Sequence, residues 1–343
     1  MQTIIRTNRN VHPILNDLDV FYTKVSEREY KNTSLIEKSF YEPLKSLETM
    51  FNDYLDTNFS FTYKKIDFSK LDLPVYDKKN LILCFSGGKD SIAALLHYKK
   101  LGYNVYLYHL RHINFAQTDE YENALKIADY LNVPIFVDDI KLSGHNDYTE
   151  HPMKNIIIAN GALSYGIREG ITTKIAFGNY YSSSLAYDRF DFCGGDCKEM
   201  WQSYEQIIHT IIPRFKVYVC LRNLGTTLKS VCKDRTLLDM SVSCLGRANL
   251  RDYRSKWVNS KFNITLPKHR CGSCYKCCIE YIYMTDHNLQ DYNEKYYSYC
   301  LRQLQKNTQK EIGIKPDITY LWNMYFFYDI SKSKYLNSSN FNI

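Results

Sequence analysis

Two short stretches of this chain contain residue types whose spacing is suited to chemistry. The first is a loop with paired glycines, Ser86-Gly87-Gly88-Lys89-Asp90-Ser91. The second is a pair of interlocked C-x-x-C units, Cys271-Gly272-Ser273-Cys274-Tyr275-Lys276-Cys277. The first pattern is suited to holding phosphate, and the second is suited to holding a metal ion.

The glycine loop lies between two apolar runs. The run before it, 81–85, predicts a buried strand, and the run after it, 92–96, predicts a helix. Paired glycines leave the backbone of the turn free of side chains. The first N–H groups of the helix and the positive end of its dipole lie at the same place, and together they favour the binding of phosphate. The loop is not a Walker A sequence, because Asp90 follows Lys89 and the G-x-x-x-x-G-K-[ST] spacing is missing. The plainer interpretation is a glycine turn in which Ser91 or Asp90 only caps the helix.

The cysteines predict a metal centre. Each C-x-x-C unit lets two thiolates reach one ion, and tetrahedral zinc needs four ligands. Cys277 and Cys278 are adjacent and should not both point at one ion, so we predict Cys244 as the fourth ligand, with Cys278, Cys232 and Cys300 as weaker alternatives. A zinc ion closed by four thiolates would be structural. An iron–sulfur cluster uses the same ligand type, and a set of inert buried thiols is the plainer interpretation.

Length and composition bound the possible functions. The 343 residues can form one main domain with additions. The 44 Lys and Arg against 37 Asp and Glu leave a net charge of +7, spread along the chain, which suits phosphate-bearing ligands and does not call for nucleic acid. Eleven cysteines without a secretory signal indicate a reducing compartment. No run approaches the ~18 apolar residues of a membrane span. We therefore expect a cytoplasmic protein without a membrane partner.

Predicted strands and helices alternate after about residue 79, and these elements must position the residues of both stretches. Candidate strands are 81–85, 104–110, 133–137, 174–177 and 216–220, and candidate helices are 91–101, 120–131, 155–169 and 199–212. Repeated β-α units predict a Rossmann-like parallel sheet of about five strands with helices on both faces and ligands at the carboxyl ends. We expect three parts: an N-terminal extension, partly helical (1–78), an α/β domain that carries the glycine loop (79–240), and a zinc module with a helical tail (241–343).

The loop resembles the S-G-G-x-D-S loop of the PP-loop ATP pyrophosphatases, which cleave ATP between the α and β phosphates and transfer AMP to a substrate oxygen. With the cysteine pattern, residues from about 79 to 285 are similar to one group of that family, the 7-cyano-7-deazaguanine synthases (QueC). Weaker matches follow in the same order, at Phe115-Ala116-Gln117, Pro152-Met153-Lys154-Asn155, Gly178, and Asp196-Cys197-Lys198-Glu199-Met200-Trp201.

The resemblance implies roles for particular residues. ATP would be held by Ser86, Gly87, Gly88, Lys89, Asp90, Ser91, Asn155 and Gly178, and Asp90 would help to position Mg²⁺. Catalytic roles would fall to Lys89, Asp90 and Lys154, and contacts with the substrate to Asp196 and Lys198. Zn²⁺ would be held by Cys244, Cys271, Cys274 and Cys277. Plainer interpretations are a solvated side chain for Lys89, and helix caps or surface charges for the residues near 154 and 196. His109, His112 and His151 lie near strand ends, but lone histidines are more often structural.

The implied reaction is adenylation of the carboxylate of 7-carboxy-7-deazaguanine, followed by amide and then nitrile formation with ammonia. Lys154 stands where the group has arginine, and the interval from Cys244 to Cys271 is wider than usual, which leaves the amine acceptor open. One alternative is a QueC-like antiphage-defence enzyme that joins a deazaguanine to a protein partner. A second is a PP-loop enzyme of tRNA thiolation that uses Cys193 or Cys197, and a third is a nucleotide sensor. A homodimer is compatible with the sequence.

Overall fold

The computed structural model describes residues 4–8, 15, 22–24, 29–32, 36–37, 58–60, 63–64, 70–112, 118–140, 154–180, 198–222, 224–242, 244 and 248–309. The strands are β1 (Ile4–Asn8), β2 (Tyr22–Lys24), β3 (Glu29–Asn32), β4 (Ile36–Glu37), β5 (Asn58–Ser60), β6 (Tyr63–Lys64), β7 (Asn80–Cys84), β8 (Asn104–His112), β9 (Ile135–Ile140), β10 (Lys174–Tyr180) and β11 (Lys216–Arg222). The helices are α1 (Lys89–Lys100), α2 (Thr118–Tyr130), α3 (Lys154–Arg168), α4 (Lys198–Ile211), α5 (Leu224–Val231), α6 (Arg235–Met240), α7 (Ala248–Phe262), α8 (Tyr275–Asp286) and α9 (Glu294–Gln309).

The main sheet has six strands in the order β1-β9-β8-β7-β10-β11, and every neighbouring pair is parallel. From β7 the chain moves outward through β8 and β9, and it then returns to the other side of β7 for β10 and β11. The strand order therefore reverses between β7 and β10. In open parallel sheets, ligands bind in the crevice at the carboxyl ends beside such a reversal.

Five of these strands are the ones that the sequence predicts, which confirms the α/β class. The sixth, β1, lies in the N-terminal extension and pairs with β9, with Ile4 opposite Ile135 and Asn8 opposite Asp139. Part of the extension thus belongs to the main sheet. The sequence did not indicate this because β1 stands far from the β-α units that identify the other strands.

Helices cover both faces of the sheet because successive strand residues point to opposite sides. Along β7 and the residue after it, Leu81, Leu83 and Phe85 pack in the core that contains α1 and α2, whereas Ile82 and Cys84 pack in the core that contains α3 and α4. Close approach is needed in the second core, because a Cβ on Gly161 of α3 would lie 1.9 Å from the Tyr108 hydroxyl of β8. Strand β7 is therefore buried on both faces, inside the sheet.

The helices after β11 form a lobe against the α1 face. Residues of α8 and α9 share the first core with α1 and α5. Edge-on and tilted aromatic contacts join the lobe internally, including Tyr281 with Tyr296 at 4.5 Å and Phe262 with Tyr299 at 5.1 Å between ring centroids. None of the helices in the described ranges is both long and apolar enough to cross a membrane.

Candidate nucleotide loop and metal centre

The loop after β7 turns sharply into α1. The Phe85 N–H still donates to the Tyr108 carbonyl at 2.8 Å, which continues the pairing with β8. Gly87 then has a φ of +76°, a conformation that side chains disfavour, and a Cβ there would lie 3.1 Å from the Ala124 nitrogen of α2. Glycine at position 87 is therefore needed both for the turn and for the close approach of α2.

The start of α1 is not capped by a side chain. The N-cap residue is Gly88, and no side-chain hydrogen bond caps it. Ser91 instead donates its hydroxyl back to the Gly88 carbonyl at 2.9 Å, and its oxygen lies 3.4 Å from the Ser86 hydroxyl oxygen. The N–H groups of a first helical turn have no acceptor within their own helix. The plainer cap interpretation is thus not what the described residues show, and the arrangement suits an anion.

Lys89 and Asp90 are held inside the site rather than in solvent. Lys89 is only 8% exposed, and its Nζ lies 3.5 Å from Asp90 Oδ2. The other carboxylate oxygen, Asp90 Oδ1, is buried and has no hydrogen-bond partner among the described residues. Because buried carboxylate oxygens are normally satisfied, an orphaned one beside an uncapped helix start fits a hard cation such as Mg²⁺.

Gly178 places this turn against the neighbouring strand across the crevice. A Cβ at this position of β10 would lie 2.6 Å from the Asp90 carbonyl oxygen and 2.8 Å from the Ala94 Cβ. The first turn of α1 can therefore rest on β10 only because residue 178 is glycine. This packing brings Gly178 to the loop, and its contact with a nucleotide stays a prediction.

The remaining predicted site residues are placed only in part. Lys154 and Lys198 begin α3 and α4, and their side chains lie outside what the structure describes, as does all of Asp196. Asn155 is buried in the first turn of α3. Cys193 and Cys197, proposed for the thiolation alternative, also lie outside the described residues. Their roles stay predictions.

A polar cluster that the sequence analysis missed lies at the carboxyl ends of β8 and β9. Arg111 donates to both carboxylate oxygens of Asp139, from Nε at 2.7 Å and from Nη2 at 2.6 Å. The guanidinium carbon also lies 4.7 Å from the centroid of the Tyr121 ring. Opposite charges at the ends of two neighbouring predicted strands were the available signal.

His109 connects that cluster to the loop. Its Nδ1 lies 2.8 Å from the Phe85 carbonyl oxygen, which can only accept, so Nδ1 carries the hydrogen. Burial lowers the pKa of the His109 imidazole, although the hydrogen bond to Phe85 opposes this. His109 is therefore a neutral, buried group that fixes the loop entrance, in line with the structural role expected for a lone histidine.

The four predicted ligand cysteines are brought together. The sulfur atoms of Cys244, Cys271, Cys274 and Cys277 all lie within 4.8 Å of one another. The Cys244 and Cys274 sulfurs are 3.8 Å apart, and those of Cys271 and Cys277 are 4.0 Å apart. Four sulfurs in a tetrahedron at about 2.3 Å from one zinc ion would be separated by about 3.8 Å. The set therefore fits a single ion.

The surroundings of Cys271 favour its thiolate. Its sulfur accepts from the backbone N–H groups of Ser273 at 3.4 Å and Cys274 at 3.3 Å. Hydrogen bonds with the Cys244, Cys274 and Cys277 side chains lower its pKa. The weaker candidates Cys278, Cys232 and Cys300 do not belong to the group of four sulfurs found among the described residues. The thiolate is the form that binds metal.

The cysteine lobe also contacts the nucleotide loop. Val242 donates its N–H to the Gly87 carbonyl at 3.4 Å, two residues before Cys244. The preceding residue, Ser241, receives Arg270 Nη2 on its hydroxyl at 2.9 Å. Arg270 is itself buried and donates from Nε to Glu280 at 2.8 Å. The segment that leads to Cys244 is therefore held from both sides.

Comparison with known proteins gives one local sequence match and partial likenesses to solved structures. No family model matches the chain. A 7-cyano-7-deazaguanine synthase from Sulfolobus acidocaldarius is 37% identical over 73 residues, which span 20% of this chain and only 16% of that protein. Among solved structures, the U34-tRNA thiolase NcsA from Methanococcus maripaludis, with its 4Fe–4S cluster, is 16% identical with a TM-score of 0.33, over 64% of this chain and 75% of its own.

An NMN synthetase from Francisella tularensis is 12% identical with a TM-score of 0.30, over 68% of this chain and 86% of its own. The sheet order found here, with the loop at its reversal, agrees with a nucleotide-binding α/β fold. The loop sequence, the clustered cysteines and the local match to the Sulfolobus synthase together support a QueC-like PP-loop protein.

Proposed function

We propose that the chain is an ATP-dependent ligase that adenylates the carboxylate of 7-carboxy-7-deazaguanine and joins the acyl group to an amine. The observation that carries this proposal is the uncapped start of α1 beside the orphaned Asp90 oxygen, at the point where the strand order reverses. The local match to a 7-cyano-7-deazaguanine synthase supports the choice of substrate.

The reaction proceeds by two transfers. A carboxylate oxygen of the substrate attacks the α-phosphorus of ATP, the bond to the β-phosphate oxygen breaks, and pyrophosphate leaves with those electrons. The amine then attacks the acyl carbon, AMP departs, and the nitrogen loses a proton to give the amide. With ammonia as the amine, the amide oxygen attacks a second ATP and pyrophosphate leaves, and loss of AMP together with the two amide protons gives the nitrile.

The residues of the loop have separate tasks in this scheme. The N–H groups at the start of α1 and the hydroxyls of Ser86 and Ser91 would hold the leaving pyrophosphate as charge develops on it. Lys89 adds a positive charge close to Asp90. Asp90 Oδ1 would bind Mg²⁺, which neutralises phosphate charge when bound. Lys154 and Asn155 would contact the nucleotide or the substrate carboxylate, and Asp196 and Lys198 would contact the deazaguanine, as the resemblance implies.

Zinc is proposed for the cysteine centre, with a structural role. The close spacing of the sulfurs supports one ion, because a 4Fe–4S cluster places each cysteine on a different iron and needs its ligands around the whole cube. All four positions are taken by protein sulfur, so the ion would have no open site for catalysis. Its task would be to keep the lobe folded against the loop.

The test is a turnover assay with purified protein, ATP, Mg²⁺ and 7-carboxy-7-deazaguanine, followed by mass spectrometry. AMP and pyrophosphate with an amide or nitrile product are expected with ammonia present. Asp90→Asn should lose AMP formation, while Asp234→Asn, a carboxylate that caps α6 away from the loop, should keep it. AMP that appears only when tRNA is added would instead favour thiolation, and ATP binding without cleavage would favour a sensor.

A protein amine is a second candidate acceptor, because α7 presents an unusual surface. Leu250, Tyr253 and Trp257 are 43%, 72% and 42% exposed and lie on one side of this helix, within the wide interval between Cys244 and Cys271. Exposed Tyr and Trp side chains at helical spacing are typical of protein-binding surfaces. Incubation with a protein encoded beside this chain should then add the mass of the acyl group to that protein. The Tyr253→Ala variant should reduce this transfer without affecting AMP formation from the small molecule.

A further inference from the structure

The polar cluster around Arg111 lies at the level where a ligand of the loop must sit. Tyr108 pairs with Cys84, so β8 continues beyond the end of β7. His109, at the level of Phe85, is followed two residues later by Arg111. At about 3.3 Å per residue, the base of Arg111 lies roughly 7 Å further along the strand, beyond the carboxyl end of β7. Ligands of parallel sheets bind on that side.

The same cluster is joined to the loop through α2. His109 and Arg111 are two residues apart and so point to the same face of the sheet, where both contact Tyr121, at 5.8 Å and 4.7 Å. The residue before Tyr121, Glu120, has its carbonyl oxygen 3.4 Å from the Cβ position of Gly87. Arg111, the first turns of α2 and the glycine turn therefore border one space.

The partners of Arg111 fix its orientation but engage only some of its hydrogen-bond donors. A guanidinium has five N–H donors, and Asp139 engages two of them, one on Nε and one on Nη2. Within the described ranges no other acceptor is recorded for the three donors that remain. The side chain is 32% exposed, so these donors can be reached. The Tyr121 ring below and the two bonds to Asp139 fix the plane of the group.

A purely structural ion pair does not require this arrangement. The pair is not needed to align the two strands, because they are already paired by their backbone, with Arg111 opposite Asp139. A fixed guanidinium with a free edge is instead suited to recognise two oxygens of a carboxylate or a phosphate at once.

We propose that Arg111, held by Asp139 and Tyr121, forms an oxyanion subsite beside the glycine loop, which binds a carboxylate or phosphate group of the ligand. This inference rests on the proposed function, in which two such groups meet: the carboxylate of the acceptor and the phosphates of ATP. Arg111 binds one of them through two parallel N–H bonds, and Asp139 acts as a positioning residue that aims the fork.

Calorimetric titration of the full chain tests the subsite without turnover. The two ligands are α,β-methylene ATP, which cannot be cleaved between the α and β phosphates, and 7-carboxy-7-deazaguanine, each added separately. Arg111→Lys keeps the charge but loses the fork, and we expect at least about tenfold weaker binding of one or both ligands with an unchanged melting temperature. The ligand that is affected identifies the source of the oxyanion. Asp139→Asn should weaken the same ligand by a smaller factor.

A matched control is Arg168→Lys. Arg168 also lies over an aromatic ring, Phe136 at 5.0 Å, and also pairs with a carboxylate, Glu169 at 3.0 Å, but at the opposite end of α3 from its start. The Arg168→Lys protein should bind both ligands with the affinity of the wild type.

Four results would count against the inference or the function. Unchanged affinities for both ligands in Arg111→Lys and in Arg111→Gln overturn the subsite and leave the proposed function intact. Weaker binding accompanied by a lower melting temperature assigns Arg111 to the fold and also overturns the subsite. Ligand binding by the wild type without AMP release removes the proposed reaction but not the subsite, whereas no binding of either ligand by the wild type overturns both.

Discussion

The glycine loop and the cysteine centre differ in how their polar groups are satisfied. At the loop, the helix start has no side-chain cap, and a buried carboxylate oxygen of Asp90 has no partner among the described residues. At the cysteine centre, each sulfur has three others within 4.8 Å, and Cys271 also accepts two backbone N–H groups. A site that leaves donors and acceptors unmatched is suited to a ligand that comes and goes. A site closed by its own ligands is suited to an ion that stays.

This difference predicts that substitutions in the cysteine centre mainly affect stability, whereas substitutions in the glycine loop mainly affect ligand binding. The largest loss of stability should come from the cysteine centre. We expect Cys274→Ala to lose the metal and unfold the C-terminal lobe. Structural zinc sites contribute about 10–16 kcal/mol to folding, which is as large as the whole stability of many domains, about 5–15 kcal/mol. Zinc measured by mass spectrometry should fall from one per chain to nearly none, and the melting temperature should fall with it.

The control for that variant is Cys220→Ala, because Cys220 is a half-buried thiol outside the cluster. It should keep its zinc. A Cys274→Ala protein with full metal content and normal melting would remove the distinction between the two sites.

The next largest effect is expected at the buried ion pair that holds the segment before Cys244. Arg270 and Glu280 have side chains that are 2% and 4% exposed. Arg270→Met leaves the Glu280 charge buried without its partner, which should cost about 3–5 kcal/mol in chemical denaturation.

The double variant Arg270→Met/Glu280→Leu removes both charges and should recover part of that loss. It still deprives the Ser241 carbonyl and hydroxyl of their donor, so we expect it to remain about 1–3 kcal/mol below the wild type. Equal losses in the single and double variants would show that the charges themselves do not matter.

A smaller effect on stability but a clear one on ligand binding is expected at Gly178. In Gly178→Ala the new Cβ would overlap the Asp90 carbonyl and Ala94, which should displace the first turn of α1 and cost about 1–3 kcal/mol. Because that turn carries Asp90, the affinity for α,β-methylene ATP should fall as well.

Gly170→Ala separates the two consequences. Gly170 has a φ of +65° and no atom within 4 Å of its Cβ position, so alanine there meets only backbone strain of about 1–2 kcal/mol. Gly170→Ala should therefore lower the melting temperature about as much as Gly178→Ala does, and it should leave the affinity for α,β-methylene ATP unchanged. Weakened nucleotide binding in both variants would assign the effect to general destabilisation.

The sequence predicted the glycine turn and the grouping of the cysteines because both depend largely on local spacing. The glycine pair between apolar runs fixes a strand, a turn and a helix within a few residues, and the C-x-x-C units bring three sulfurs into one turn. Cys244 was correctly brought to the same cluster, although it stands far away in the chain, because four thiolates are the usual requirement of tetrahedral zinc. Five strands of the main sheet were found for the same reason, since each belongs to a β-α unit.

What the sequence missed depends on contacts between distant segments. Arg111 and Asp139 meet because β8 and β9 pair in one particular register, and a register cannot be read from either strand alone. The edge strand β1 needed a partner 131 positions away, with Ile4 opposite Ile135. The contact of Val242 with Gly87, which joins the two sites, is likewise a single hydrogen bond without a sequence signal.

The smallest predicted effect concerns pH and the entrance of the loop. His109 is buried and donates to the Phe85 carbonyl, and the groups that face it are Tyr121, Arg111 and Asp139. Burial is the largest cause of its lowered pKa, and the positive charge of Arg111 acts in the same direction, against Asp139. The folded state therefore holds His109 neutral, while an unfolded chain takes up a proton below about pH 6.5.

The unfolded state then binds more protons than the folded one, so stability should fall as the pH drops below about 6.5, by up to about 1.4 kcal/mol per pH unit. His109→Gln keeps a side-chain N–H donor for Phe85 but cannot titrate. The free energy of unfolding in urea, compared between pH 7.0 and 5.5, should therefore decrease more in the wild type than in His109→Gln. Identical decreases would mean that other groups cause the acid sensitivity. The protonation of His109 would then not affect the stability of the folded state.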